Sequence, residues 1–458
     1  MGSSKTVVLY PGLGVGHLTP MIQLARLFPQ HGVAVTVALV EPQDKSPQFS
    51  DAVARAAASN PSVTFHVLPP PPPAPASSGS DDTHEDIQKF ELLKAMNGPL
   101  RDFLRSLPSV HALVIDMFCT DALDVAAELK LPVYTFFVSG ASDLAVLLNL
   151  PHIQAGMSTS LGGLGNSLLS LPGVPPFKAS DLPEVVKDGE VAKAIFRMFE
   201  RMPASNGILI NTFESLETRA VRALKEGLCV PNRATPPVYC IGPLVSEGGD
   251  KQHKCLDWLD AQPDNSVVFL SFGSLGTFSK QQLQETAIGL ENSRERFLWV
   301  VRSPPDVEIG DALDLDALLP KGFLERTKDR GLVLKTWAPQ VEVLHHRATG
   351  AFVTHCGWNS TMEGIMAGLP LLCWPLYAEQ RMNKVFIEEE MKIGVVLKGY
   401  DEKVVKAEEV EMKVKWVMNS EGGRTLRERV AVEKIRAAEA LKNGGSSHAA
   451  FVEFLNQV

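Results

Sequence analysis

The stretch "GAFVTHCGWNSTMEGIMAG", residues 350–368, reads as strand, turn, then helix. An apolar run ends near His355, Gly357 lets the chain turn, and Asn359 and Ser360 offer cap chemistry to a helix that starts there. Strands that feed helices through such turns build open parallel sheets, whose ligands bind outside the carboxyl ends of the strands. The pattern recurs on both sides. "SVVFLSFGS", "FLWVVRS", "LVLKTW", "LPLLCW" and "IGVVL" are strand candidates in the same half. "TVVLY", "AVTVALV", "VTFHVL", "ALVIDMF", "PVYTFF" and "GILINTF" fill the other half, with amphipathic helices such as "LTPMIQLARLFPQHG" between them. The expected architecture is α/β: two Rossmann-like domains facing across a cleft. The boundaries expected are 1–240, a polar Gly-rich linker at 241–254, 255–440, and a last helix at 441–458 packing back on the first domain. The Pro/Ser-rich 69–82 reads as a surface loop.

At 458 residues the chain exceeds one ordinary core, and 45% hydrophobic with 21% charged residues is the composition of a folded globular protein. A net charge of −9 argues against nucleic-acid partners and a polybasic membrane anchor. Six cysteines with no CxxC and no zinc spacing fit a reducing, cytoplasmic setting and imply no metal. No basic-then-apolar leader opens the chain, and no run approaches the ~20 apolar residues of a membrane span. Asp143 and Pro151 are expected to keep the most apolar helical stretch, "ASDLAVLLNLPHI", short. Gly2 with Thr6 matches a loose myristoylation pattern, but an exposed start running into a strand explains it as well.

Two ionisable residues stand where strands end. "VVLYPGLGVGHLTP" has GxGxG spacing at Gly12, Gly14 and Gly16, one residue short of the dinucleotide fingerprint. The glycines let the backbone turn and a ligand approach, and His17 lands at the helix start. There the positive helix end disfavours imidazolium, which leaves a ring able to accept a proton. Asp116 closes the apolar "ALVID", where a carboxylate has no packing purpose. An Asp on one ring nitrogen sets the tautomer and stabilises the imidazolium formed during proton abstraction. Helix capping is the plainer account of both residues. Asp121 and Asp124 read as helix-face residues. No GxSxG accompanies the pair, so the substrate itself is the expected nucleophile.

Around the opening stretch, the helix start with His355, Asn359 and Ser360 is an anion site by geometry, without the Lys of a P-loop. His355 and Cys356 diverge at a strand end and lack further ligands at metal spacing, so Cys356 reads as packing. Glu363 suits ribose hydroxyls, Trp337 a base stack, Glu379 with Gln380 sugar hydroxyls, and Gly273 with Ser274 a second phosphate-facing turn. Taken together they describe a nucleotide sugar.

The unbroken segment from Trp337 to Gln380 resembles the signature box of plant secondary-product UDP-glycosyltransferases of family 1. The likeness extends to "GHLTP", "VIDMF", "NTFESLE" and "SFGS", and so covers nearly the whole chain. It implies a GT-B fold and glucose transfer from UDP-glucose to a hydroxyl of a small apolar acceptor, phenolic or flavonoid-like, with inversion and no metal. It implies that Trp337 stacks on uracil, Ala338 bonds the base through its backbone, and Glu363 takes the ribose. Gln340 joins this donor set. His355, Asn359, Ser360 and Ser274 would hold the diphosphate; Trp358, Glu379, Gln380 and Ser139 would face the sugar. Gln380 closing the box, and Trp358, favour glucose. His17 is then the base and Asp116 its partner. Gly14, Met117, Phe118, Phe137, Leu147 and Tyr377 are candidates for the acceptor pocket. A monomer whose partners are UDP-sugar and acceptor is expected. The competing readings are an NAD(P)-dependent Rossmann oxidoreductase, resting on "GLGVG" and Glu41, and a non-catalytic nucleotide-sugar binder.

Overall fold

A computed structural model describes residues 5–41, 47–72, 84–231, 233–246, 248–249, 252–305, 313–335 and 337–458. The chain divides into two compact units, Met1–Val245 with Ala440–Val458, and Ser246–Glu439. The start of the chain at 1–4 and most of the 69–82 stretch lie outside the described residues, as do positions 247, 250 and 251 of 241–254.

The first unit holds β1 (Thr6–Tyr10), β2 (Ala34–Leu39), β3 (Thr64–Val67), β4 (Ala112–Asp116) and β5 (Val133–Phe137), then the two-residue strands β6 (Leu168–Leu169) and β7 (Phe177–Lys178), β8 (Gly207–Ile210) and β9 (Val238–Cys240). Seven of them form one parallel sheet in the order β3-β2-β1-β4-β5-β8-β9; β6 and β7 pair apart as an antiparallel ribbon. The central strands are mostly apolar, and β4 and β5 are buried at every position, Asp116 and Thr135 included. The helix Ser446–Gln457 belongs to this unit. Its Phe454 packs edge-on against Tyr134 and Tyr239, and Ser447 Oγ donates to Gly242 O at 2.6 Å.

The second unit holds β10 (Val267–Ser271), β11 (Arg296–Val301), β12 (Gly331–Lys335), β13 (Thr349–Thr354), β14 (Leu371–Cys373) and β15 (Gly394–Val396) in one parallel sheet, order β12-β11-β10-β13-β14-β15. Each sheet reverses its winding once, between β1 and β4 in the first and between β10 and β13 in the second. Loops that leave such a pair of strands diverge to opposite faces and open a crevice at the carboxyl edge. In register, Tyr10 sits beside Ile115 and Ser271 beside Thr354, so the loops that leave these strands line each crevice.

The most apolar stretch is short, as expected, the 15-residue helix Ala141–Ala155, but Asp143 and Pro151 lie inside it and do not end it. Asp143 lies in the first turn, where the helix dipole favours a carboxylate. The helix is buried from Ala141 to Pro151, so packing on every side holds a proline that an isolated helix would reject. Among the described residues no helix is long and apolar enough to cross a membrane.

Candidate active site

In the first unit the crevice between β1 and β4 brings His17 and Asp116 together. The helix Val15–Ala25 starts after Gly14, whose φ of +94° is a glycine conformation, and His17 is its third residue. Its Nδ1 lies 2.8 Å from Asp116 Oδ2. Asp116 is fully buried, and its Oδ1 accepts the Phe118 N–H at 3.0 Å. A Cβ on Gly12 would stand 2.6 Å from that same Oδ1. Gly12 is therefore required by the carboxylate, where ligand approach was the expected reason. With the carboxylate on Nδ1, the protonated tautomer there leaves the lone pair on Nε2. The ring keeps 21% exposure and lies 5.0 Å from Phe118, which in turn meets Phe90.

Of the proposed acceptor-pocket residues, Gly14 is exposed and Met117 and Phe118 flank the carboxylate. Phe137 is fully buried against Phe199, Leu147 is buried in the helix Ala141–Ala155, and Tyr377 belongs to the second unit. Ser139 is buried, its hydroxyl donating to Asp143 at 2.6 Å. Asp121 and Asp124 are both paired with Arg201 at the surface.

In the second unit the remaining residues line the carboxyl edge. Gly273 and Ser274 follow β10, Trp337 and Ala338 follow β12, His355 follows β13, and Glu379 and Gln380 follow β14. The helix Trp358–Ala367 is capped by the backbone of Gly357 with no side-chain cap bond, so Asn359 and Ser360 are first-turn residues and not its caps. His355 is 7% exposed and lies between two glycines: a Cβ on Gly273 or Gly357 would come within 2.6 Å or 2.5 Å of its Nε2. Burial pushes the imidazole down to about 4, which makes it neutral at pH 7. Its Nδ1 finds no hydrogen-bond partner among the described residues, a costly state for a buried polar atom unless a ligand or water completes it.

Gln340 is the hub of this edge. Its Oε1 accepts from Ser271 Oγ at 2.8 Å, and its Nε2 donates to Ser360 Oγ at 2.9 Å and Glu363 Oε2 at 2.6 Å. Burial raises the Glu363 carboxyl to about 7; the Gln340 bond opposes the rise and the Glu342 charge adds to it. Gln380 is buried, and its Oε1 accepts the Leu376 and Tyr377 N–H groups, which folds the loop that carries Glu379. Asn383, which sequence reading passed over, donates to Cys356 O at 2.9 Å and bonds Glu379. Cys356 and Ala378 hold φ of +65° and +51°, a strained choice for residues with a Cβ. The strain sits in the two loops that Asn383 ties together. Trp337 is half exposed, a ring free to stack. Among the described residues no group of three His, Cys, Asp or Glu side chains is placed to hold a metal.

Comparison with known proteins gives a consistent result. Residues 224–426 match the family model described as UDP-glucoronosyl and UDP-glucosyl transferase. An anthocyanidin 5,3-O-glucosyltransferase of a Rosa hybrid cultivar is 41% identical, covering 98% of this chain and 97% of that one. A phloretin 2'-O-glucosyltransferase of Pyrus communis is 39% identical over 99% of both chains. The structure of Phytolacca americana UGT2 complexed with UDP-2fluoro-glucose and pterostilbene superimposes with a TM-score of 0.88 at 35% identity, covering 99% of each chain.

Proposed function

The chain belongs to the plant UDP-glycosyltransferases, and from that premise we propose that it moves glucose from UDP-glucose to a hydroxyl of a small phenolic, flavonoid-like acceptor, with inversion at the anomeric carbon. The observation that carries the reading is the His17–Asp116 pair, at 2.8 Å, in a chain that has no GxSxG nucleophile motif. His17 Nε2 takes the acceptor proton as the acceptor oxygen bonds to C1 of glucose. The C1–O bond to UDP breaks, and UDP leaves with the electron pair. Asp116 stabilises the imidazolium, and a positioned base of this kind contributes roughly 10²–10⁴-fold in rate. A phenol suits such a base because its pKa, ~10 for Tyr, is nearer to that of His than an alcohol's is.

On the donor side, Trp337 and the Ala338 backbone take the base, and Glu363, held by Gln340, takes the ribose. His355, Ser274 and the first turn of the helix Trp358–Ala367, with Asn359 and Ser360, take the diphosphate, where peptide dipoles meet the charge that develops on UDP. Trp358, Glu379 and Gln380 serve the sugar. At the diphosphate, the neutral imidazole of His355, the Ser274, Asn359 and Ser360 side chains and the helix N–H groups support a reaction without a divalent ion. The same reading takes the chain as a cytoplasmic monomer; its six cysteines are all buried as thiols, which suits a reducing compartment. The test is UDP-glucose with a panel of phenolic and alcohol acceptors, read by mass spectrometry for a hexose gain and by NMR for a β-linkage, with and without excess EDTA. No product with any phenol, or an α-linkage, overturns the proposal. Loss of turnover in EDTA that added divalent ion restores overturns its metal-free part.

A further inference from the structure

The nucleotide groups of the second unit are fastened at two points to the segment that leads into it. Residues 248–249 and 252–253 lie just before the helix Lys254–Asp260. Glu342 is the third residue of the short helix Gln340–His345, two positions beyond the hub Gln340. Its Oε1 accepts the Gly249 N–H. Gly248 has φ +77°, and a Cβ there would lie 2.6 Å from the same oxygen, so the carboxylate occupies the place of the missing side chain. Ser246 Oγ accepts the Gly248 N–H at 3.3 Å and helps to shape this turn.

The second point is His253. Its Nδ1 accepts the Cys255 N–H as the cap of the helix Lys254–Asp260, which leaves Nε2 to carry the proton and fixes the ring. That ring meets Trp337 at 5.8 Å between centroids and 72° between planes, the edge-to-face arrangement aromatic rings prefer. Trp337 is 51% exposed, so a neighbour that fixes its plane matters more than for a core tryptophan. Between the two contacts the chain runs from Trp337 to Glu342, and Gln340 in that run bonds Ser360 and Glu363.

We infer that Glu342 and His253 are positioning residues for nucleotide binding, which set the Trp337–Gln340 segment from the turn at Gly248–Gly249. The inference rests on the reading of Trp337, Gln340 and Glu363 as uridine contacts. Neither residue takes part in bond making, so their loss falls on donor affinity. Glu342→Ala, Glu342→Gln, His253→Ala and Gly248→Ala in the full chain test it, with UDP affinity by calorimetry beside kcat and both KM values. Glu342→Ala, His253→Ala and Gly248→Ala should each weaken UDP and raise the donor KM by roughly five- to ten-fold, with kcat and acceptor KM nearly unchanged. Glu342→Gln, which keeps an oxygen for the Gly249 N–H, should restore most of the affinity. Folded Glu342→Ala and Gly248→Ala proteins that bind UDP like wild type overturn the inference, as does a fall in kcat at unchanged donor KM. Wild-type protein that binds no UDP instead sinks the nucleotide reading itself, a result distinct from variants that match a UDP-binding parent.

Discussion

His17 Nδ1 lies 2.8 Å from Asp116 Oδ2, on a carboxylate whose other oxygen is held by the Phe118 N–H. The aspartate cannot turn away without leaving that amide unsatisfied, so the imidazole is oriented by a fixed anion. Asp116→Asn keeps the volume but replaces the anion by a neutral amide and allows the wrong tautomer. The expected result is a kcat lower by roughly 10²–10⁴-fold with donor KM almost unchanged. His17→Ala should abolish transfer yet bind UDP-glucose, read by calorimetry. Normal turnover by His17→Ala would remove His17 from the mechanism, and normal turnover by Asp116→Asn would remove Asp116 as its necessary partner.

Gly12 gives an independent handle on the same pair. A methyl there meets Asp116 Oδ1 at 2.6 Å and Cγ at 3.0 Å. The clash is with a side chain buried on all sides, so either the carboxylate or the β1 loop must shift. Gly12→Ala is expected to lower kcat at least ten-fold and to cost about 1–3 kcal/mol of stability, measured by denaturant unfolding. Equal activity in a well-folded Gly12→Ala protein would show that Asp116 need not hold its place.

Legibility in the sequence depends on the physics of each feature. The strands of both sheets stood out because helices cover both of their faces, which leaves long apolar β-branched runs such as "TVVLY" and "VVFLS". The approach of His17 to Asp116 was legible because a carboxylate closing the apolar "ALVID" has no packing purpose and faces the helix start that follows the neighbouring strand. The β6–β7 ribbon was not, since strands of two residues carry no periodicity. Nor was the hub at Gln340, which needs β10, the loop after β12 and the helix after β13 to converge in space. The left-handed Cys356 was hidden for the same reason: Asn383, 27 residues on, holds its carbonyl.

If Glu363 takes the ribose as proposed, donor binding should depend on pH. Its carboxyl, raised to about 7 by burial, is largely protonated at pH 6 and largely ionised at pH 8. Ribose hydroxyls donate to the ionised form, so the donor KM should fall as pH rises through 7. Glu363→Gln should raise the donor KM and flatten that dependence while leaving acceptor KM alone. A wild-type donor KM independent of pH from 6 to 8 would contradict the assignment.

His355 makes the opposite demand on the folded protein. Burial lowers it from 6.5 to about 4, so the unfolded chain binds its proton first as pH falls. Its contribution is therefore complete above pH 6.5 and disappears as pH drops through 4, a difference of ~3 kcal/mol at most. Glu363 runs the other way: its raised value favours the folded state below pH 4.5 and withdraws that support as pH climbs through 7. The two nearly offset each other between pH 4.5 and 6.5, and single variants should separate them. His355→Gln, which removes the titrating ring, should narrow the stability gap to wild type as pH falls from 7 to 4.5, by thermal unfolding without ligand. Glu363→Gln should narrow it in the reverse direction. UDP at saturating concentration should raise the wild-type Tm but raise that of His355→Gln less, because the variant lacks the imidazole proposed to meet the diphosphate. A gap between His355→Gln and wild type that is constant from pH 7 to 4.5 would mean that the ring is not held neutral in the fold.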